Sequence, residues 1–393
     1  MTLVHGAAAH AGGPQTHVLI IGVGRYIHLS GGAGPVNVTL PLGQLTSPPI
    51  SARAVADWFA GAYSNAGAPL GSVELLLSDA TTQDYQVNGA GPTRKIDPAT
   101  FANIEQAFND WDARCNADRD NIAFFYFCGH GLQKEMTVLL PEDFGANPNN
   151  LWSRAIDFTR TFRGMACNQA QTQYYVVDAC RQWTTSLLKE LDMAGETLKT
   201  FSFGKQKQRT APILYATANG LPAFGDSGKR SRMTDALLKC LDGSGADKQG
   251  GLWVIDTDHL GAAVKKLVEL QNKALYPVDP QIVDPVIFEN SAGTRVLHKL
   301  APGKDPSVVV SLECLPDAAT GSAKFYYVRQ GQPKSAPSIG PWLAEIPAGV
   351  YDFGVEFQDG TYKAEPIKEE FVRPPVWPLK ITAMTTASPP PEG

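Results

Sequence analysis

The chain has no marked surplus of either charge. Its 34 Lys and Arg stand against 39 Asp and Glu, a net charge of −5 over 393 residues. Proteins that grip nucleic acid need a basic excess to hold phosphates, so nucleic acid is not an expected partner. Mild acidity of this kind serves solubility. No apolar run approaches the roughly 18 residues that a membrane helix requires, and no membrane partner is expected. Residues 1–16 lack a charged start followed by an apolar core, so they read as a disordered tail and not as an export signal.

Cysteine is sparse. Cys115, Cys128, Cys167, Cys180, Cys240 and Cys314 are scattered along the sequence and form no dense framework. Without an export signal, reduced thiols in a cytoplasmic protein are the expected state. Cys128 and His130 have a spacing that zinc ligands use, but no second pair accompanies them, so no metal site is expected. No EF-hand loop is present, which leaves calcium without a motif, and no cofactor is expected. There is no internal repeat. Low lysine with abundant Ala, Gly and Pro gives the sequence a bacterial texture.

Three short strings fall short of known motifs. Gly22-Val23-Gly24 begins like a dinucleotide fingerprint, but Ile27 holds the third glycine position. Gly228-Lys229 ends like a phosphate loop, yet Arg230 replaces Ser or Thr and Ala223 replaces the first glycine. Gly225-Asp226-Ser227-Gly228 copies a serine-peptidase string within a region whose alternation of helix and strand excludes that all-β fold.

What is present is an ordinary globular composition, 43% apolar and 19% charged, long enough for two or three domains. Apolar strand signals at 17–23, 73–77, 122–127, 174–177 and 212–216 alternate with helical patterns at 51–63, 98–114, 156–169, 234–241 and 256–271. Ser51 is the expected N-cap of the first helix. Such alternation predicts an α/β fold for residues 17–300, a mostly parallel sheet with helices on both faces. Beyond 300 the pattern becomes short strands at 307–312, 324–329, 342–346, 351–357 and 379–382, separated by Gly and Pro turns. Residues 301–385 therefore read as a small all-β, sandwich-like module, and 386–393 as a Pro-rich tail.

Chemistry concentrates at two strand ends. One strand runs FFYF into Cys128-Gly129-His130-Gly131, and the other runs YYVV into Asp178-Ala179-Cys180-Arg181. Open α/β sheets gather reactive groups at the carboxyl ends of their strands, which can bring a His and a Cys fifty positions apart together. Glycines beside the His allow sharp turns and close approach. Taken singly, a buried Cys is a small hydrophobe and a lone His is structural; together at two strand ends they point to nucleophilic catalysis.

With His130-Gly131 and Ala179-Cys180-Arg181, residues 17–290 resemble the caspase-like superfamily of cysteine peptidases. Asp178 stands where caspases carry Gln, as in metacaspases, and Gln182 stands where caspases carry Gly. The resemblance implies a caspase-like sandwich of sheet and helices. It implies acyl transfer with Cys180 as nucleophile and His130 as base, and an oxyanion hole from the backbone N–H groups of Gly131 and Cys180. Through its metacaspase side it implies that Asp178 binds substrate and selects Arg or Lys at P1; the bland reading of Asp178 is a strand-end turn residue. Asp226 falls in a loop that lines the cleft of relatives, or is simply a turn residue. The stretch Lys199–Arg209 offers Lys205, Lys207 and Arg209 as self-cleavage sites, against the reading as a solvated charge run. The expected partner is a protein or peptide substrate, with a regulatory protein as a candidate ligand of the β-module. The competing reading is a catalytically silent caspase-like scaffold for protein binding, which the intact His130–Cys180 pair disfavours.

Overall fold

The computed structural model describes residues 2–6, 12–35, 42–181, 194–218, 220, 221, 223, 225–340 and 342–386. Gln182 and the Pro-rich end at 387–393 lie outside them. Seven strands form the central sheet: β1 (Leu3–Gly6), β2 (Thr16–Val23), β3 (Leu70–Ser78), β4 (Ile122–Gly129), β5 (Thr172–Ala179), β6 (Thr210–Tyr215) and β7 (Asp284–Asn290). Their spatial order is β1-β3-β2-β4-β5-β6-β7. The five inner strands are parallel, and the edge strands β1 and β7 run antiparallel to their neighbours. Strands β2, β4 and β5 are buried along their whole length, which explains their unbroken apolar runs: both faces are covered.

Helices α1 (Ser47–Gly61), α4 (Arg232–Lys239) and α5 (His259–Leu275) share a core with one face through Val55, Phe59, Leu237, Val264 and Leu267. Helices α2 (Phe101–Cys115) and α3 (Phe158–Gly164) cover the other face through Ile104, Phe108, Trp111, Phe158 and Phe162. The α/β expectation with helices on both faces thus holds.

Local boundaries differ from those read in the sequence, for identifiable reasons. Helix α1 begins four residues early, at Ser47 after Thr46, because Pro48 and Pro49 fit its first turn, where no N–H is needed. Ser51 is therefore no cap; it is buried inside the helix and its hydroxyl accepts the Ser231 N–H at 2.9 Å. Helix α3 is shorter than expected. Asp157 caps it by accepting the Arg160 N–H at 2.8 Å. Gly164 ends it where a side chain would lie 1.9 Å from the Lys199 carbonyl oxygen. Helix α5 starts at His259, with Asp256 accepting the N–H groups of Asp258 and His259 at 3.0 and 2.9 Å. Leu3–Gly6, within the segment expected to be a tail, is strand β1, with Val4 buried.

Residues 307–385 form two four-stranded sheets. Their strands are β8 (Ser307–Leu315), β9 (Ala323–Arg329), β10 (Ser338–Ile339), β11 (Trp342–Pro347), β12 (Gly349–Phe357), β13 (Tyr362–Ala364), β14 (Ile367–Val372) and β15 (Val376–Thr385). One sheet has the order β11-β8-β15-β13 and the other β10-β9-β12-β14. Val308, Val310, Leu312, Phe325, Tyr351 and Phe353 fill the core between them. The opposite face of β8 is covered in its middle. Val309, with Leu343 and Val376, packs into the core of α4 and α5. Lys239 of α4 reaches Glu345 of β11 at 2.5 Å. No helix among the described residues is long and apolar enough to cross a membrane.

Candidate active site

Register determines which residues meet at the top of the sheet. Strands β4 and β5 pair in parallel, Asp178 opposite Cys128 and Ala179 opposite Gly129. One step further along each chain stand His130 and Cys180. Gly131 fits against this junction because it has no side chain: a Cβ there would lie 2.9 Å from both the Ala179 Cβ and the Cys180 carbonyl oxygen. His130, Cys180 and Asp178 all line one cleft of about 310 Å³, whose far wall is the start of α1 (Thr46, Ser47, Pro48) and whose rim carries Ala223, Gly225, Ser227 and Ser231. The structure thus brings the three expected side chains together and sets Gly131 beside Cys180.

The imidazole of His130 is held from two sides. Its backbone N–H donates to the Tyr26 hydroxyl at 2.6 Å, and the Tyr26 ring lies 4.8 Å from the imidazole, centre to centre. Its Nε2 is 2.8 Å from the Gly43 carbonyl oxygen. A carbonyl only accepts, so Nε2 carries the proton and Nδ1 of the neutral ring is left as the acceptor. Burial lowers the His130 pKa, against a smaller opposing effect of the Gly43 carbonyl, so the ring is neutral near pH 7. Cys180 is half-buried, and its Sγ accepts the Ala223 N–H at 3.2 Å. Burial raises its pKa, the Ala223 N–H counteracts this, and the Asp178 charge raises it further. The resting pair is a thiol and a neutral imidazole.

Asp178 is buried at the cleft wall. Its Oδ2 accepts hydrogen bonds from the Ser231 hydroxyl and, at 2.5 Å, from the Thr234 hydroxyl. Ser231 is also the N-cap of α4 and accepts the Thr234 N–H at 3.0 Å. Burial raises the Asp178 pKa, while Ser231, Thr234, Cys128 and Tyr126 oppose the rise by donating to the ionised form. Ser231, Thr234, Tyr26 and the Gly43 carbonyl were not assigned to the site from the sequence. Each enters from a loop or helix remote in the chain, and only the serine and threonine before a helical pattern carried a signal, that of a cap.

Other expected positions fall elsewhere. Asp226 borders a neighbouring cavity with Lys229, Arg230, Arg232 and Asp235, and its carboxylate pairs with Lys229 at 3.4 Å. Arg209 is fully buried, stacked on Phe162 at 4.5 Å and bonded to Glu289 and Gln173. A peptidase could not reach it in the folded chain, which removes it as a self-cleavage site. Lys205 and Lys207 are exposed. Cys128 is buried with its thiol toward Asp178. Asp247, Asp256 and His259 bring ligand-type atoms within 4.8 Å of one another, but buried Asp256 is already engaged by two N–H groups, Gln249 and His259 in capping α5.

Known proteins show similarity to the chain at three levels: family, sequence and fold. The family model described as the caspase domain matches residues 74–282, just over half the chain. The protein y4kE of Sinorhizobium fredii is 28% identical over 338 residues, covering 80% of this chain and 94% of that protein. Among solved structures, caspase-1 of Spodoptera frugiperda aligns with a TM-score of 0.42 at 14% identity, covering 76% of this chain and 99% of that one. A Geobacter sulfurreducens protein aligns with a TM-score of 0.40 at 12% identity, covering 70% of this chain and 94% of that one.

Proposed function

Because the chain belongs to the caspase-domain family, we propose that it is a cysteine endopeptidase that uses Cys180 and His130 and cleaves after Arg or Lys. One observation carries this reading: in-register parallel strands end in a thiol and an imidazole that open on the same cleft, with a buried carboxyl beside them.

In this mechanism the Nδ1 lone pair of His130 takes the Cys180 proton while the Gly43 carbonyl holds Nε2–H. The sulfur attacks the scissile carbonyl carbon, and the resulting oxyanion is received by the N–H groups of Gly131 and Cys180. His130 then protonates the leaving amine as the C–N bond breaks, leaving a thioester on Cys180. Water, giving a proton to His130, attacks the thioester, and the proton returns to the departing sulfur. Asp178 selects the P1 side chain: a guanidinium or ammonium pairs with it, whereas an acidic side chain would bring like charges together. The exposed Lys205 and Lys207 are then sites for self-processing.

A panel of fluorogenic peptides differing only at P1 tests the proposal. Wild type is expected to hydrolyse the Arg and Lys peptides and to leave the Asp peptide intact, and Cys180→Ala to be inactive on all. Hydrolysis after Asp but not after Arg or Lys would refute the assigned selectivity. Intact masses of stored wild type and Cys180→Ala test self-processing: identical masses after activity has been established would end it.

A further inference from the structure

Asp178 and Cys180 stand two residues apart along one strand and both open on the cleft. Among the described residues, the lining of that cleft contains no lysine or arginine. Every group bonded to the Asp178 carboxylate is neutral: the hydroxyls of Ser231 and Thr234, the Cys128 thiol and the Tyr126 phenol. An anion buried among neutral donors opposes a second negative charge nearby far more strongly than it would in water. Cys180 must acquire just such a charge before it can attack.

We propose that a cation seated against Asp178 activates the nucleophile, so that the basic P1 side chain promotes transfer of the Cys180 proton to His130 as well as anchoring the substrate. This rests on the reading of Asp178 as the P1 selector. It assigns that carboxylate a second role, as a brake on Cys180 that a bound guanidinium or ammonium releases.

The groups around the thiol support this. On its own strand it feels Asp178, from the end of β4 the neutral His130, from the loop after β2 the Tyr26 phenol, and from the loop after β6 the Ala223 N–H. Of these, Asp178 is the group whose charge acts on the thiol, and it acts to keep the proton on sulfur. Asp226, the next carboxylate along the rim, borders the adjoining cavity and is paired with Lys229. The remaining walls, at the starts of α1 and α4, contribute hydroxyls. A basic P1 residue should therefore raise kcat, beyond any effect on KM.

Alkylation of Cys180 by iodoacetamide reads this directly. The thiolate displaces iodide from a small neutral reagent, forming the S–C bond as the C–I bond breaks. The rate is followed by peptide mass spectrometry across pH, with Cys180→Ala defining the contribution of Cys167 and the other thiols. In wild type, methylguanidinium, compared with sodium at equal ionic strength, is expected to shift the pH midpoint down by about half to one unit, a three- to tenfold gain at pH 7. Asp178→Asn is expected to have the lower midpoint without any cation and to ignore methylguanidinium. A wild-type midpoint unmoved by methylguanidinium overturns the proposal, and that arm needs no folded variant. A folded Asp178→Asn with the wild-type midpoint overturns it equally. Peptides cleaved after Arg or Lys alongside an unmoved midpoint would leave the P1 assignment standing and the brake disproved. Absence of such cleavage would instead remove the assignment on which the brake rests.

Discussion

Strand β5 of the central sheet and strand β8 of the C-terminal pair are built alike. Each is a short apolar run, YYVV in one and VVVSL in the other, and the middle of each is covered on both faces. They end differently. Both neighbours of β5 run parallel to it, so its tip emerges beside the tip of β4, and Cys180 meets the residues around His130. Strand β8 has an antiparallel neighbour, β11, on one side and a parallel one, β15, on the other, and finishes at the half-exposed Leu315. Two apolar strands thus end differently, one at the cleft that Cys180 lines and the other at an exposed leucine. Neighbour direction, more than residue content, decides which strand ends can converge on a substrate.

The largest effect that would break this contrast comes from the tips themselves. His130→Ala is expected to lower peptide hydrolysis by about 10²–10⁴-fold in protein that remains folded, whereas Leu315→Ala at the tip of β8 should leave activity intact. Comparable losses from both would mean that the C-terminal sheets take part in catalysis. Next in size is the β-core. Phe325→Ala, which empties a fully buried position between the two sheets, should cost about 3–5 kcal/mol in urea unfolding. Hydrolysis per folded molecule should be retained.

Acid sharpens the contrast further, because the seven histidines all precede residue 301. His298 is buried beside Trp58 and Tyr63 and accepts the Ser64 N–H at 2.9 Å, and burial lowers its pKa to about 4. Between about pH 6.5 and pH 4 the unfolded chain therefore binds a proton that the folded chain refuses. Stability contributed by neutral His298 is present above that window and falls as pH drops through it, by roughly 2–3 kcal/mol. His130, also lowered by burial, adds in the same direction. Chemical denaturation at pH 7 and pH 4.5 should show that His298→Gln loses part of this dependence; an equal slope in the variant would assign it elsewhere. The smallest effect concerns the bridge between the regions. A double-mutant cycle on Lys239→Met and Glu345→Gln should give a coupling of about 0.2–1 kcal/mol that fades with salt.

The parts of this molecule legible in the sequence were those made by local pattern. Parallel strands buried on both faces announce themselves as apolar runs, and the glycine-flanked His130 and the Asp178-Ala179-Cys180 string mark their ends. Edge strands were harder. Strand β1 lies in an alanine- and glycine-rich start, and β7 opens with Asp284-Pro285, so neither shows the pattern of an interior strand. Within the site, whatever depends on long-range approach stayed hidden. The Gly43 carbonyl reaches His130 across 87 positions and the Ser231 hydroxyl reaches Asp178 across 53. Arg209 looked like one more exposed cation of a basic run, because nothing nearby in the sequence announces Glu289, its partner 80 positions on.

That fully enclosed guanidinium has a mechanical consequence. It ties the base of β6 to Phe162 of α3, to Gln173 at the start of β5 and to the part-exposed Glu289 of β7. Scission at Lys205 or Lys207 would sever the loop while this rivet stayed closed. The two fragments would remain one particle in native chromatography and part only in denaturant.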